Sequence, residues 1–215
     1  MLRLPTTAVV TWLAAGVLVV GQRDATQTFD AMPAGAPPPG FTFAAMRQAS
    51  AGQWTVHRAG GHGWLTHAAD PDSHGFAMAI APVDPRRDVV AAVRLRLHGG
   101  ARAGGLVWRY VDARHYYAAL LDLRRGEISM YRVSDGNRIK LEFEDDLELD
   151  PDAWHGLKAV HVDDFVYVTL DGIRVFEDHV RRPDRTGPGA AGVLATGDSE
   201  VSFDDLRVEA PHARQ

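Results

Sequence analysis

Residues Val89–His98, VVAAVRLRLH, alternate with a period of two. Val89, Ala91, Val93, Leu95 and Leu97 fall on one face; Val90, Ala92, Arg94, Arg96 and His98 fall on the other. Successive side chains of a strand point to opposite faces, so this segment offers one side to an apolar core and the other to water or ligand. A helix would place its leucines and arginines on overlapping faces. The same period recurs from Phe41 onward, broken by clusters of glycine, aspartate and proline. Asp135-Gly136 joins residues 127–134 to 137–143, and Asp171-Gly172 joins 165–170 to 173–177. Both pairs tolerate the positive φ of a tight primed turn, so two hairpins are predicted. Residues 157–162 turn at Asp163-Asp164 into the second hairpin, and the chain closes with 191–196, a turn at Gly197-Asp198, and 201–208. A short first strand is expected around Thr28-Phe29. The proline-rich stretch 31–40 (AMPAGAPPPG) separates it from a strand at 41–46, because prolines neither continue a helix nor sit in a central strand. No sustained helical period and no long repeat appears. The expectation is one all-β domain, a two-sheet antiparallel sandwich of the jelly-roll type.

Composition changes the picture in three places. A length of 215 residues, 46% hydrophobic and 24% charged, suits one large globular β domain and excludes a disordered or fibrous chain. A net charge of −5 argues against nucleic acid, which needs a basic face to displace counterions. The absence of cysteine removes thiol catalysis, disulfide frameworks and cysteine–zinc sites. At the N-terminus, Met1-Leu2-Arg3 precedes an uncharged, mostly apolar run over 8–20, then Gly21 and the polar Gln22-Arg23-Asp24. That is the layout of a secretory signal peptide, with Val19 and Gly21 before the cut and a run too short to span a bilayer comfortably; an uncleaved anchor is the alternative. The expected organisation is a signal peptide at 1–21, a linker at 22–25, the sandwich at 26–209 and a tail at 210–215. A secreted or periplasmic protein with no membrane span after cleavage follows.

Several phrases then occur in one order: Gly104-Gly105-Leu106-Val107-Trp108-Arg109-Tyr110, Asp112, His115-Tyr116-Tyr117, Met130-Tyr131-Arg132-Val133, Trp154-His155-Gly156-Leu157-Lys158, Val168-Thr169-Leu170-Asp171-Gly172, and Phe203-Asp204-Asp205-Leu206-Arg207-Val208. Together they resemble the concanavalin A-like lectin/glucanase superfamily, near the 3-keto-disaccharide hydrolase domain family, over 26–209. The resemblance implies two curved antiparallel sheets and a concave face able to take a glycan. It implies that Arg109 and Tyr116 face outward as ligand contacts, with Asp122, Arg94 and Arg96, and that Trp108 and Tyr110 lie in the core. It also implies a structural calcium near the chain ends. First and last strands are neighbours in this superfamily, which would bring Asp30 to Asp204 and Asp205, and carboxylate oxygens are what calcium takes. Fold does not fix activity, since superfamily members bind sugars, cleave them, or do neither.

Other candidate chemistry is weaker. Glu144-Asp145-Asp146-Leu147-Glu148 has the Glu-x-Asp-x-Glu spacing that would put three carboxylates on one strand face. It lies between a hairpin and Pro151, where a solvated loop is expected. His57, His62, His67 and His74 recur without a shared strand or helix spacing, so no common face for a metal is implied, and His155 marks a strand start. No phosphate-binding glycine loop and no Gly-x-Ser-x-Gly elbow is present. Three functions stay open: a glycan-binding sandwich, a hydrolase or lyase acting on 3-keto-glycosides through Arg109 and Asp122, and an envelope interaction module. For the second, Ala103-Gly104-Gly105-Leu106 replaces the glycine-asparagine-serine-glycine type of phrase associated with that family. No catalytic set is identified.

Overall fold

The computed structural model describes residues 24–48, 50–98, 102–180 and 186–211. The predicted signal peptide and most of the C-terminal tail lie outside them. Among the described residues there are strands and no helix. One sheet, sheet A, runs β13 (Ile173–His179), β12 (Phe165–Leu170), β11 (His155–Val162), β6 (Val89–His98), β15 (Glu200–Glu209), β4 (His62–Ala68) and β3 (Gln53–Ala59), with β1 (Ala25–Gln27) also on β15. The other, sheet B, runs β10 (Asn137–Glu144), β9 (Glu127–Ser134), β8 (His115–Asp122), β7 (Ala103–Asp112), β14 (Ala190–Thr196), β5 (His74–Ile80) and β2 (Thr42–Gln48). The strand pairings are antiparallel, and consecutive strands such as β6 and β7 lie in different sheets. The fold is the expected two-sheet jelly roll.

Local chemistry explains the pairings. Both predicted hairpin turns carry positive φ at each central residue: 53° and 79° at Asp135-Gly136, 50° and 83° at Asp171-Gly172. That backbone twist matches the twist of the strands it joins. The first strand is displaced from its expected place. It is Ala25–Gln27, in register with Leu206–Val208 through Ala25↔Val208 and Gln27↔Leu206. Phe29 instead adopts φ 60° and is buried. Its ring meets Phe41 at 6.0 Å, so core burial and a left-handed turn take the residue out of the strand.

The core lies between the sheets. It joins Val93, Leu95 and Leu97 of β6, Leu106 and Trp108 of β7, Tyr117 of β8 and Phe203 of β15, all nearly inaccessible. Each large side chain buried there contributes about 1.5–3 kcal/mol. Trp108 Nε1 donates to His161 Nδ1 at 3.1 Å, which satisfies the indole N–H inside the core, and the His161 ring stands edge-on to Tyr117.

Sheet B is strongly curled. β10 and β5 are five steps apart in the strand order, about 24 Å along a flat sheet at ~4.8 Å per step. Yet the Arg138 guanidinium of β10 lies 5.1 Å from the ring centroid of Phe76 of β5. The two ends of the sheet therefore bend toward one another, and its outer face is the concave one. Two glycines in the central strands permit the tight approach. A Cβ on Gly105 would sit 1.8 Å from the Ala119 carbonyl oxygen, and one on Gly192 would sit 2.2 Å from that of Ala79.

Candidate functional site

The concave face of sheet B has a buried apolar floor. Met46, Phe76, Met78, Val107, Tyr116, Tyr131, Val133 and Leu194 form a cluster separate from the inter-sheet core. Alternation puts them there: on β8, Tyr117, Ala119 and Leu121 enter the core while Tyr116, Ala118 and Leu120 face the trough. The Tyr116 hydroxyl donates to Met46 Sδ at 2.9 Å, and its ring meets Tyr110 at 6.1 Å.

Polar groups gather at one end of this trough, around an open cleft of about 740 Å³ lined by Ser73, His74, Phe76, Arg138, Thr196 and Asp198. That volume is within the range of small-ligand sites, roughly 300–1,000 Å³. Arg138 stands over Tyr131 at 4.7 Å and Phe76 at 5.1 Å. Cation–π attraction of this kind fixes a long side chain that would otherwise be mobile. Among the described residues no acceptor meets its guanidinium, so a planar fork of donors faces the cleft. Asp198 supplies an acceptor, His74 an imidazole, and Ser73 and Thr196 hydroxyls. Thr196 Oγ1 is 2.6 Å from Ser199 Oγ, which accepts from the Ala103 amide at 2.9 Å. Further along β10, Lys140 bonds Glu127 at 2.6 Å and covers Phe143 at 4.7 Å. Burial pushes the Glu127 carboxyl up, but bonds from Lys140 and Ser129 outweigh it and hold the group below its usual range.

The residues expected at the site do not converge. Tyr116 and Asp122 share the concave face, but Tyr116 is buried floor and Asp122 accepts the amides of Arg124 and Arg125 at 3.1 and 3.2 Å, holding the β8–β9 turn. Arg94 and Arg96 lie on the outer face of sheet A, each 5.4 Å from the Trp154 ring. Arg109 is fully buried, not outward. Its Nε donates to the Arg87 carbonyl at 2.5 Å and its Nη2 to the Asp163 carbonyl at 3.0 Å, with Asp88 at 3.7 Å. The cause is a bulge in β7 between Trp108 and Asp112, where Arg109 takes φ 47°. The same bulge puts Tyr110 on the concave face rather than in the core beside Trp108. Arg109 and Asp122 are thus committed to the fold, which leaves the 3-keto-glycoside reading without its proposed donor and base.

The acidic run also resolves. Glu144 ends β10 and Asp145–Asp150 form irregular chain in which Asp146 has φ 58°, so the three carboxylates do not share a strand face. His67 is buried against Trp54 at 4.8 Å and bonds the Ser199 carbonyl. His57 stacks on Trp64, and His155 bridges Asp171 and the Asp150 carbonyl at 2.9 Å each. Among the described residues no group of three or more His, Asp or Glu side chains could hold a metal ion. Near the chain ends, Asp30 accepts the Gly63 amide at 2.6 Å, and Asp205 pairs with Arg94 at 3.6 Å. Burial, and then the charges of Asp205 and Asp30, push the Asp204 carboxyl up against the pull of the Asp205 amide and Arg94.

A curled sheet with a second sheet behind it makes a two-sheet antiparallel β-sandwich of the jelly-roll type, with an open polar cleft on its concave side. Solved structures of similar fold agree. A carbohydrate binding module, CBM66, from Bacillus subtilis aligns with TM-score 0.64 and 19% identity over 80% of this chain and 96% of its own. A native glycosidic hydrolase aligns with TM-score 0.61 and 10% identity over 91% and 100%. A Bacillus subtilis protein of unknown function with a galectin-like fold aligns with TM-score 0.57 and 11% identity over 81% and 90%. At these identities the likeness is one of fold. No family model and no curated protein matches the chain.

Proposed function

We propose that this chain is an exported glycan-binding module whose ligand enters the concave cleft at Arg138. The observation that carries the reading is the guanidinium held over Phe76 and Tyr131 with its donors facing open space. Sugar hydroxyls both donate and accept, and the cleft offers both partners: Arg138 as donor, Asp198 as acceptor, with His74, Ser73 and Thr196 able to do either. A donor fixed before binding loses little rotamer freedom when the ligand arrives. Calorimetry of the protein with neutral and acidic oligosaccharides tests it. Binding to one class, lost in Arg138→Ala, supports the proposal; no binding to any oligosaccharide refutes it. Export rests on the signal-like residues 1–21, and N-terminal sequencing of protein recovered outside the cytoplasm would read a mature start after Gly21.

A structural calcium near Asp30, Asp204 and Asp205 is a separate proposal: the three carboxylates do not form a metal-holding group by themselves, so backbone carbonyls and water would have to complete the shell. The support is the setting of Asp204, whose carboxyl is pushed up first by burial and then by the charges of Asp205 and Asp30; a divalent cation would relieve the like-charge part. The test is thermal melting in millimolar calcium against chelator: a higher Tm with calcium supports a site, and identical melts refute it.

A further inference from the structure

The outer face of sheet A, opposite the cleft, carries a second arrangement that the glycan cleft does not use. Strand register lines up Thr169, Lys158, Ala92 and Arg207 across β12, β11, β6 and β15. The core-facing residues of β6 are Val89, Ala91, Val93, Leu95 and Leu97, so this row points outward. Ala92 is the small residue at its centre, leaving a notch between two cations. In the next row Gly156 lies beside Arg94, so a second position without a side chain deepens the notch. The result is a depression of about 270 Å³ lined by Arg94, Lys158, Thr169, Gly156 and Arg207, with Asp205 at its edge. Asp205 is engaged by Arg94. Among the described residues neither Lys158 nor Arg207 meets an acceptor.

Beyond Arg94 the basic track continues along β6 to Arg96, and both guanidinia lie 5.4 Å from the Trp154 ring. From Ala92 to Arg96 the strand rises about 14 Å at ~3.4 Å per residue, too far for one small ion to bridge. In a chain of net charge −5, a row of four cations over small residues, interrupted beside Arg94 by Asp204 and Asp205, has a specific complement. We propose that this face binds an anionic polysaccharide, with a carboxylate or sulfate seated over Ala92 between Lys158 and Arg207 and the chain running along β6 toward Trp154. The acids flanking the other side of Lys158, Asp88, Asp163, Asp164 and Glu209, repel the polymer there and set its direction.

The test is calorimetry of the whole protein with an oligogalacturonate, a sulfated oligosaccharide, a neutral oligosaccharide of equal length, inorganic sulfate and duplex DNA. The expected result is salt-sensitive binding of at least one anionic oligosaccharide. Either Lys158→Gln or Arg207→Gln should weaken it about tenfold, the scale of one charge-assisted hydrogen bond. Lys158→Arg should retain it. Lys158 and Arg207 lie on the other sheet from the cleft, so Lys158→Gln and Arg207→Gln should leave binding of the neutral oligosaccharide as it is in the parent, and failure here and failure of the cleft are separately visible. Whether the carboxylate or the sulfate chain binds identifies the anion. The proposal is overturned if neither anionic chain binds, if duplex DNA or inorganic sulfate binds as tightly, or if folded Lys158→Gln and Arg207→Gln proteins bind as the parent does.

Discussion

Replacing Arg109 with methionine keeps the aliphatic stem and removes the guanidinium. The Arg87 and Asp163 carbonyls then lose their donor inside the protein, and Asp88 loses a nearby cation. Each charge-assisted hydrogen bond contributes about 1.5–3 kcal/mol, so two give about 3–6 kcal/mol of destabilisation. In a domain of this size about 1 kcal/mol moves Tm by roughly 2–4 °C, so a fall of roughly 6–24 °C is expected. Urea titration and thermal melting followed by circular dichroism measure it. Any glycan affinity of the folded fraction should be unchanged, because the side chain sits behind the sheet and not in the cleft. A variant as stable as the parent, or one that is stable but has lost binding, would refute the structural role assigned to Arg109.

Three further outcomes follow from the same structure. Gly105→Ala should destabilise by at least about 1–3 kcal/mol, since its Cβ would overlap the Ala119 carbonyl; an unchanged urea midpoint would mean that the sheet is not tightly curled there. Burial holds the His67 imidazole below its ordinary 6.5, so as pH falls below that value the unfolded chain takes the proton first. Its stabilising effect is complete above about 6.5 and is lost as pH drops toward the folded value. His115 behaves in the opposite sense. Its bond to Asp112 raises the imidazole from 6.5, so its contribution is complete below 6.5 and is lost as pH rises through the folded value. An NMR titration in which the His67 and His115 resonances moved at the same pH would contradict both assignments.

Strand positions were legible because the period of two is a local property. Val89–His98 and the two Asp-Gly hairpins declare themselves from a few residues. Positions that depend on distant partners were not legible. Phe29 leaves the strand because Phe41 and the core claim its ring. Arg109 leaves the outward face because a bulge, invisible in the alternation Trp108-Arg109-Tyr110, turns it inward. The cleft itself was missed because it joins β5 to β10, strands more than 50 residues apart in the chain that only the curl of sheet B brings together. One signal was present: Arg138 and Lys140 alternate with Ile139 and Leu141 on a predicted hairpin strand, which marks a cationic face without saying what stands opposite.

The most direct test of the central claim is a calorimetric comparison of the parent protein with Arg138→Ala against the oligosaccharide that binds best. A buried or clamped arginine at a binding centre is worth about 2 kcal/mol or more, so affinity should fall at least about thirtyfold. Melting behaviour should stay near the parent's, because the side chain is exposed at the mouth of the cleft. Equal affinity in the two proteins would contradict the account and move the site off the concave cleft.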